Sequence, residues 1–174
     1  LRLAFAQEGE LVLESEGFKA FFEDNKDWLV PYAVFSYLRD RYQTAEFQKW
    51  PQCSKYNRRE IEKLAAPEGK DYALIALYYY IQYQLHLQLL DVRNTARQAG
   101  VIIKGDIPIG ISRTSVEAWS QPHLFNLDGQ AGAPPDDFSK NGQNWGFPTY
   151  NWEAMAEDGY QWWLRRFKKM AEYF

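Results

Sequence analysis

A mostly helical α/β chain is predicted by three observations. Apolar side chains recur at helical spacing through most of residues 18–99, one short β-branched run (Val101-Ile102-Ile103) follows a helix-ending glycine, and residues 111–150 show no sustained period. At 174 residues the chain has room for one domain, or a piece of one, with a substantial core.

Phe18 to Phe22 reads as a short apolar helix, ended by the polar run Glu23-Asp24-Asn25-Lys26-Asp27. A second helix is expected from Trp28 to Tyr42, on the spacing of Trp28, Tyr32, Phe35 and Leu38. Pro31 would then lie in its first turn, where a missing N–H does no harm. Thr44 to Tyr56 is a connector around Trp50-Pro51, and Asn57 with Glu60 forms a capping-box pair that opens a helix through Leu64. Pro67-Glu68-Gly69 stops it.

The longest helix runs from about Asp71 to Ala99. Leu74, Leu77, Tyr78, Ile81, Leu85 and Leu89 form one stripe, which Tyr80, Tyr83, Leu87 and Leu90 widen, so burial of most of the helix is expected. Gly100 is placed as its C-terminal cap. Val101-Ile102-Ile103 then reads as a buried parallel strand, Gly105 to Gly110 as a turn, and Ile111 to Tyr150 as a long irregular stretch rich in aromatics. An amphipathic helix closes the chain on Tyr160, Trp163, Leu164, Phe167, Met170, Ala171 and Phe174. Both ends read as interior to something longer. The expected organisation is residues 1–100 as helical segments and 101–174 as strand, loop and closing helix.

Composition removes several classes of partner. The 20 basic and 23 acidic side chains, net −3, are dispersed and make no basic stripe, which excludes nucleic acid. No run approaches the ~20 apolar residues that span a bilayer, so no membrane partner is expected. A single cysteine, Cys53, cannot form an internal disulfide, fits a reducing compartment, and reads as an inert side chain. Aromatic residues make up 17% of the chain, and such side chains serve both large cores and platforms for the apolar faces of sugars.

Position separates those uses. Asp106, directly after the β-branched run and between Gly105 and Pro108, is where α/β barrels place functional carboxylates, though an Asp there equally satisfies backbone donors in a turn. The glycine-rich run from Asp128 to Ser139 lacks the Gly-Lys-Ser/Thr of a phosphate loop and the ligand spacing of an EF-hand, and its Asp136 reads as an Asx turn. Asn141 to Tyr150 interleaves amides, which match hydroxyl groups, with Trp and Tyr rings, although a lone Trp in such a loop also serves as a plug. His86 and His123 lack partners for a metal or triad, Ser112, Ser115 and Ser120 lack a nucleophile elbow, and Arg165, Arg166, Lys168 and Lys169 read as a solvated helix face. No metal or cofactor is expected.

Several ordered motifs from Lys104 to Trp163 resemble the 4-alpha-glucanotransferase (amylomaltase and disproportionating enzyme) family of the alpha-amylase clan. These are Gly105-Asp106-Ile107-Pro108-Ile109, Ser115 with Trp119, Leu124-Phe125, Gly132-Ala133-Pro134-Pro135-Asp136-Asp137-Phe138-Ser139, and Gly142-Gln143-Asn144-Trp145-Gly146 followed by Pro148, Tyr150 and Trp152. The resemblance implies an incomplete (β/α)8 barrel fragment, mostly helical, with one or two parallel strands and a long active-site loop. It implies a cytoplasmic enzyme of starch or glycogen metabolism that acts on alpha-1,4-glucans by retaining double displacement. It also implies that none of the catalytic carboxylates lies here, the nucleophile's Arg-Ile-Asp-His motif being expected just past the last helix. Asp106 becomes a supporting group, and Phe138, Asn144, Trp145, Asp137 and Gln143 the glucan contacts. Many family members carry Tyr where this chain has Asp137. The partners implied are a maltooligosaccharide and the remainder of a parent chain, and a non-catalytic glucan-binding module is the alternative.

Overall fold

The computed structural model describes residues 1–174 and divides into two compact units, Leu1–Val101 and Ile102–Phe174. Unit 1 contains four α-helices: α1 (Arg2–Glu14), α2 (Glu16–Tyr42), α3 (Arg58–Leu64) and α4 (Tyr72–Gln98). A single 3-10 turn, Phe47–Lys49, sits in the connector between α2 and α3.

The two helices expected at 18–22 and 28–42 are one continuous helix, and Pro31 lies buried in its interior rather than in a first turn. The polar run does not break it because one of its members faces inward. Asn25 is buried, donates from Nδ2 to the Phe21 carbonyl at 2.6 Å, and accepts from Trp28 Nε1 at 3.0 Å. Lys26 meanwhile pairs with Glu23 one turn back on the exposed side. Ser15 sets the start by accepting from the Phe18 amide, and Gln43, at φ 55°, ends the helix in the left-handed region. Leu29, Ala33, Val34, Phe35 and Leu38 follow as a buried face.

The connector holds as expected, with Trp50 buried against Phe35 and donating from Nε1 to the Thr44 carbonyl at 2.8 Å. Asn57 caps α3 as its spacing predicts, accepting from the Arg59 and Glu60 amides. Asn57→Ala is expected to lower stability by about 1 kcal/mol, read as a shift of a urea melt with an unchanged slope.

α4 has the predicted bounds to within a residue but a different buried face. Ile75, Ala76, Leu77, Tyr79 and Tyr80 are inside, whereas Leu74, Leu85, Leu87 and Leu89 are exposed. Of the expected set, Leu77 and Tyr80 are buried and Tyr78, Ile81, Tyr83 and Leu90 are half-buried. Aromatic and aliphatic side chains on several sides of α4 let periodicity alone choose the wrong one. Tyr79 and Tyr83 meet Phe22, Phe18 and Phe21 of α2 edge-on or tilted, and His86 packs on Phe21 at 4.9 Å, a structural role. Tyr78 donates to Asp40. Burial alone would raise the Asp40 carboxyl, but the hydrogen bonds from Tyr78 and Arg39 hold it below its ordinary value. The Tyr78 hydroxyl is pushed up to about 12, by burial first and by Asp40 second.

Gly100, at φ 71°, caps α4, and the Val101 amide returns to the Ala96 carbonyl. The strand expected at Val101-Ile102-Ile103 is absent, and Ile102 is 90% exposed. A parallel strand draws its hydrogen bonds from neighbouring strands, and none of these 174 residues lies opposite this run.

Unit 2 holds α5 (Val116–Ser120), β1 (Phe125–Asn126), β2 (Gly132–Ala133), β3 (Gln143–Asn144), β4 (Thr149–Tyr150), α6 (Trp152–Glu157) and α7 (Gln161–Tyr173). The stretch read as irregular is a two-level hairpin. β1 pairs antiparallel with β4 at the base, and β2 pairs antiparallel with β3 further out. Ile111, Trp119, Leu124, Phe125, Pro148, Met155 and Trp162 form the core beneath it. α7 is where the sequence places it, but Trp162 is its buried residue, while Leu164 and Phe167 of the expected stripe are exposed. Arg166 is not merely solvated: its guanidinium lies over the Trp162 ring, 4.4 Å from the centroid.

Candidate functional site

Between the two ladders and beyond them, the hairpin is held by local chemistry. The Ala131 amide donates to the Phe147 carbonyl at 2.8 Å, and the Trp145 amide donates to the Ala131 carbonyl at 2.9 Å. Gly132 sits so close to the Gln143 backbone that no side chain fits there, and Gly142, at φ 71°, lies under the Ala133 carbonyl. These two glycines let the legs approach and turn.

At the tip, Asp136 forms the Asx turn that its position after two prolines predicts. Its Oδ1 accepts from the Phe138 amide at 2.9 Å and the Ser139 amide at 2.7 Å. Ser139 Oγ in turn donates to the Gly142 carbonyl at 2.7 Å. The tip backbone is therefore well tied, yet the Phe138 ring it carries is 98% exposed. An apolar ring held out on a constrained backbone is unlike the scattered exposed apolar residues of ordinary surfaces. Asp137 beside it is also exposed.

The amides and the indole form a second group on β3 and just past it. Asn144 donates from Nδ2 to Gln130 Oε1 and accepts from the Gly146 amide at 2.9 Å. Gln143 Oε1 accepts from Trp145 Nε1 at 3.0 Å. Trp145 is 44% exposed, and one face of its ring stacks on Phe147 with centroids 5.9 Å apart and planes 28° from parallel. It is neither a buried plug nor a free side chain, but a braced ring with open surface.

The structure thus brings Phe138, Asp137, Gln143, Asn144 and Trp145 onto one hairpin. Asp106 stands apart: it is exposed, and its Oδ1 accepts from the adjacent Ile107 amide at 2.9 Å, the turn-stabilising arrangement. Its turn reaches the hairpin only through its far end, where the Ile109 carbonyl accepts from Tyr150 Oη at 3.3 Å and Gly110 lies against the Phe147 ring.

Two participants carried no signal in the sequence. Gln130 orients Asn144, and Arg113 donates from Nε to the Gly146 carbonyl at 3.1 Å and from its two Nη atoms to the Leu127 and Gly129 carbonyls. A motif could not have found either, since their partners are backbone carbonyls or a single amide. No group of three or more His, Cys, Asp or Glu side chains converges to hold a metal ion, and no helix is long and apolar enough to cross a membrane. Cys53, half-buried, has its thiol pKa raised by burial and by Glu60, which suppresses its reactivity.

The chain is similar to several known proteins. A relative in Oryza sativa subsp. japonica, 4-alpha-glucanotransferase DPE2, is 46% identical over 173 residues, covering 99% of this chain and 18% of its own length. A 4-alpha-glucanotransferase of Aquifex aeolicus is 36% identical over 152 residues, covering 84% of the chain and 31% of its own length. Among solved structures, the amylomaltase from Streptococcus agalactiae in complex with acarbose superposes with a TM-score of 0.76 at 29% identity, covering 90% of the chain and 32% of that structure. The chain therefore spans between about a fifth and a third of these relatives. With the 4-alpha-glucanotransferase family model matching residues 1–174 from end to end, the chain belongs to the 4-alpha-glucanotransferase family.

Proposed function

We propose that these residues are part of a 4-alpha-glucanotransferase that moves alpha-1,4-glucan segments between maltooligosaccharides, and that their share of the work is to bind the glucan. The observation that carries this is the pair of aromatic rings on the nested hairpin, Phe138 98% exposed and Trp145 44% exposed, set among the amides of Gln143 and Asn144. Rings cover the apolar face of a pyranose, and amides both donate to and accept from its hydroxyls. The acarbose complex of the related amylomaltase supports a ligand of this kind.

In this reading the fragment belongs to an incomplete (β/α)8 barrel, with residues 1–100 as flanking or inserted helices and 101–174 carrying the lid. Transfer runs with retention: a carboxylate attacks the anomeric carbon as a carboxylic acid protonates the leaving oxygen, and an acceptor sugar, its hydroxyl proton taken by that same group now acting as base, then displaces the enzyme carboxylate. Those carboxylates belong to the rest of the parent protein. What the present residues do is exclude water from the bound sugar and hold it in register, with Asp106 as a supporting group and Asp137 a hydroxyl acceptor at the position where many family members stack a Tyr. A cytoplasmic setting in starch or glycogen metabolism goes with this function.

The test is a comparison of residues 1–174 with the whole enzyme on maltotriose. The whole enzyme is expected to release glucose and longer oligosaccharides, and the fragment to give no product above buffer. Disproportionation by the fragment at the rate of the whole enzyme would overturn the assignment of the chemistry to residues outside it.

A further inference from the structure

We propose that Arg113 is the positioning residue of the hairpin, setting the direction in which Trp145 presents its indole to the sugar. The inference rests on the glucan-binding reading above. Its ground is an arginine that spends its donors on backbone rather than on a carboxylate: Nε reaches the Gly146 carbonyl, and the two Nη atoms reach the Leu127 and Gly129 carbonyls. Leu127 and Gly129 lie on the chain between β1 and β2, and Gly146 lies between β3 and β4. One planar group therefore joins both legs of the hairpin at the level between its two ladders.

At that level the two legs are joined by two backbone hydrogen bonds, from the Ala131 amide to the Phe147 carbonyl and from the Trp145 amide to the Ala131 carbonyl. Each ladder pairs only two residues per strand, and Gly146 sits at φ 77° with nothing within 4 Å of the place a Cβ would occupy. The Gly146 amide is fixed by Asn144 Oδ1 at 2.9 Å and its carbonyl by Arg113 at 3.1 Å, and Trp145 is the residue immediately before it. Without Arg113 the Gly146 carbonyl loses its side-chain partner, and the Trp145–Phe147 stack keeps only the Asn144 bond and the two Ala131 bonds as anchors.

Arg113 is itself held. The Ser115 amide donates to the Ser112 carbonyl, the Thr114 amide donates to Ser112 Oγ, and Ser115 Oγ caps α5 at the Ala118 amide. A lysine at this place could satisfy only one carbonyl well, because the fork geometry of three donors in one plane belongs to the guanidinium.

The experiment uses the whole enzyme with Trp145→Ala, Arg113→Ala, Arg113→Lys and the double variant Arg113→Ala/Trp145→Ala, assayed on maltotriose. Arg113→Ala is expected to raise KM about tenfold with kcat within about twofold, the signature of lost binding common to ground and transition states. Added guanidinium ion restores KM, and sodium chloride at equal concentration does not. In the Trp145→Ala background, Arg113→Ala adds less than about twofold, because two changes acting through one contact do not add. Hydrogen exchange at the Ala131 and Trp145 amides speeds up in both Arg113 variants. Should Arg113→Ala fold poorly, Arg113→Lys is expected to show the same split between KM and kcat.

If Arg113→Ala and Arg113→Lys leave KM unchanged while Trp145→Ala raises it, the positioning role is wrong. The same holds if the full effect of Arg113→Ala survives in the Trp145→Ala background. An unchanged KM in Trp145→Ala strikes instead at the glucan-binding reading, and faster exchange at Ala131 and Trp145 in the Arg113 variants then still supports the clamp.

Discussion

Replacing Phe138 by Ala in the whole enzyme is expected to raise KM for maltooligosaccharides by roughly one to two orders of magnitude without shifting the melting temperature. The magnitude follows from the ring's situation. At 98% exposure it contributes nothing to the folded core, so its whole apolar surface is available to be covered by sugar. Covering a Phe side chain contributes about 1.5–3 kcal/mol, and each 1.4 kcal/mol is about tenfold in affinity. Trp145→Ala should also raise KM, but with a small loss of stability, because that ring additionally braces Phe147 at 5.9 Å. Steady-state kinetics with a thermal melt separates the two variants. A KM for Phe138→Ala within twofold of the parent's would mean that the ring meets no sugar.

The second large effect is on stability. Trp119→Ala is expected to cost about 3–5 kcal/mol, a large share of the ~5–15 kcal/mol of a typical domain. Trp119 is 2% exposed on α5, a helix of five residues, far below the length at which a helix holds by itself. Its Ser115 cap and the packing of its Trp are what keep it formed. Because Arg113 lies two residues before that cap, loss of Trp119 should loosen the hairpin as well. Chemical denaturation measured by fluorescence reads the first effect, and hydrogen exchange at Trp145 the second. A cost below about 1 kcal/mol would show that unit 2 draws its stability from elsewhere.

Local signals are legible in this sequence and tertiary ones are not. The Asn57 cap, the Gly100 terminator and the Asp136 turn are decided within four or five residues, and each stands where its residue types place it. The break assigned to Glu23–Asp27 fails because burial of Asn25 depends on what α2 meets in three dimensions. The stripe on α4 holds at Leu77 and Tyr80 and fails at Leu74, Leu85, Leu87 and Leu89, because too many sides of the helix are apolar for a period to select one. α1 carries no readable pattern, and α6 falls in the short run between Tyr150 and the closing helix, which is too brief for a period to show. On the candidate hairpin, Phe138, Asn144 and Trp145 are singled out by family motifs, whereas Arg113 and Gln130 bond backbone carbonyls and an amide, which leave no pattern in one sequence.

The nested ladders divide the hairpin mechanically. Everything that fixes its base, from the β1–β4 pair to the Arg113 fork, lies outside the inner pair at Gly132–Ala133 and Gln143–Asn144. The nine residues from Pro134 to Gly142 depend on that base only through the inner pair and make their own internal turns. They behave as an exchangeable cassette. A substitution within it, such as one at Asp137, is expected to leave the base of the hairpin unmoved.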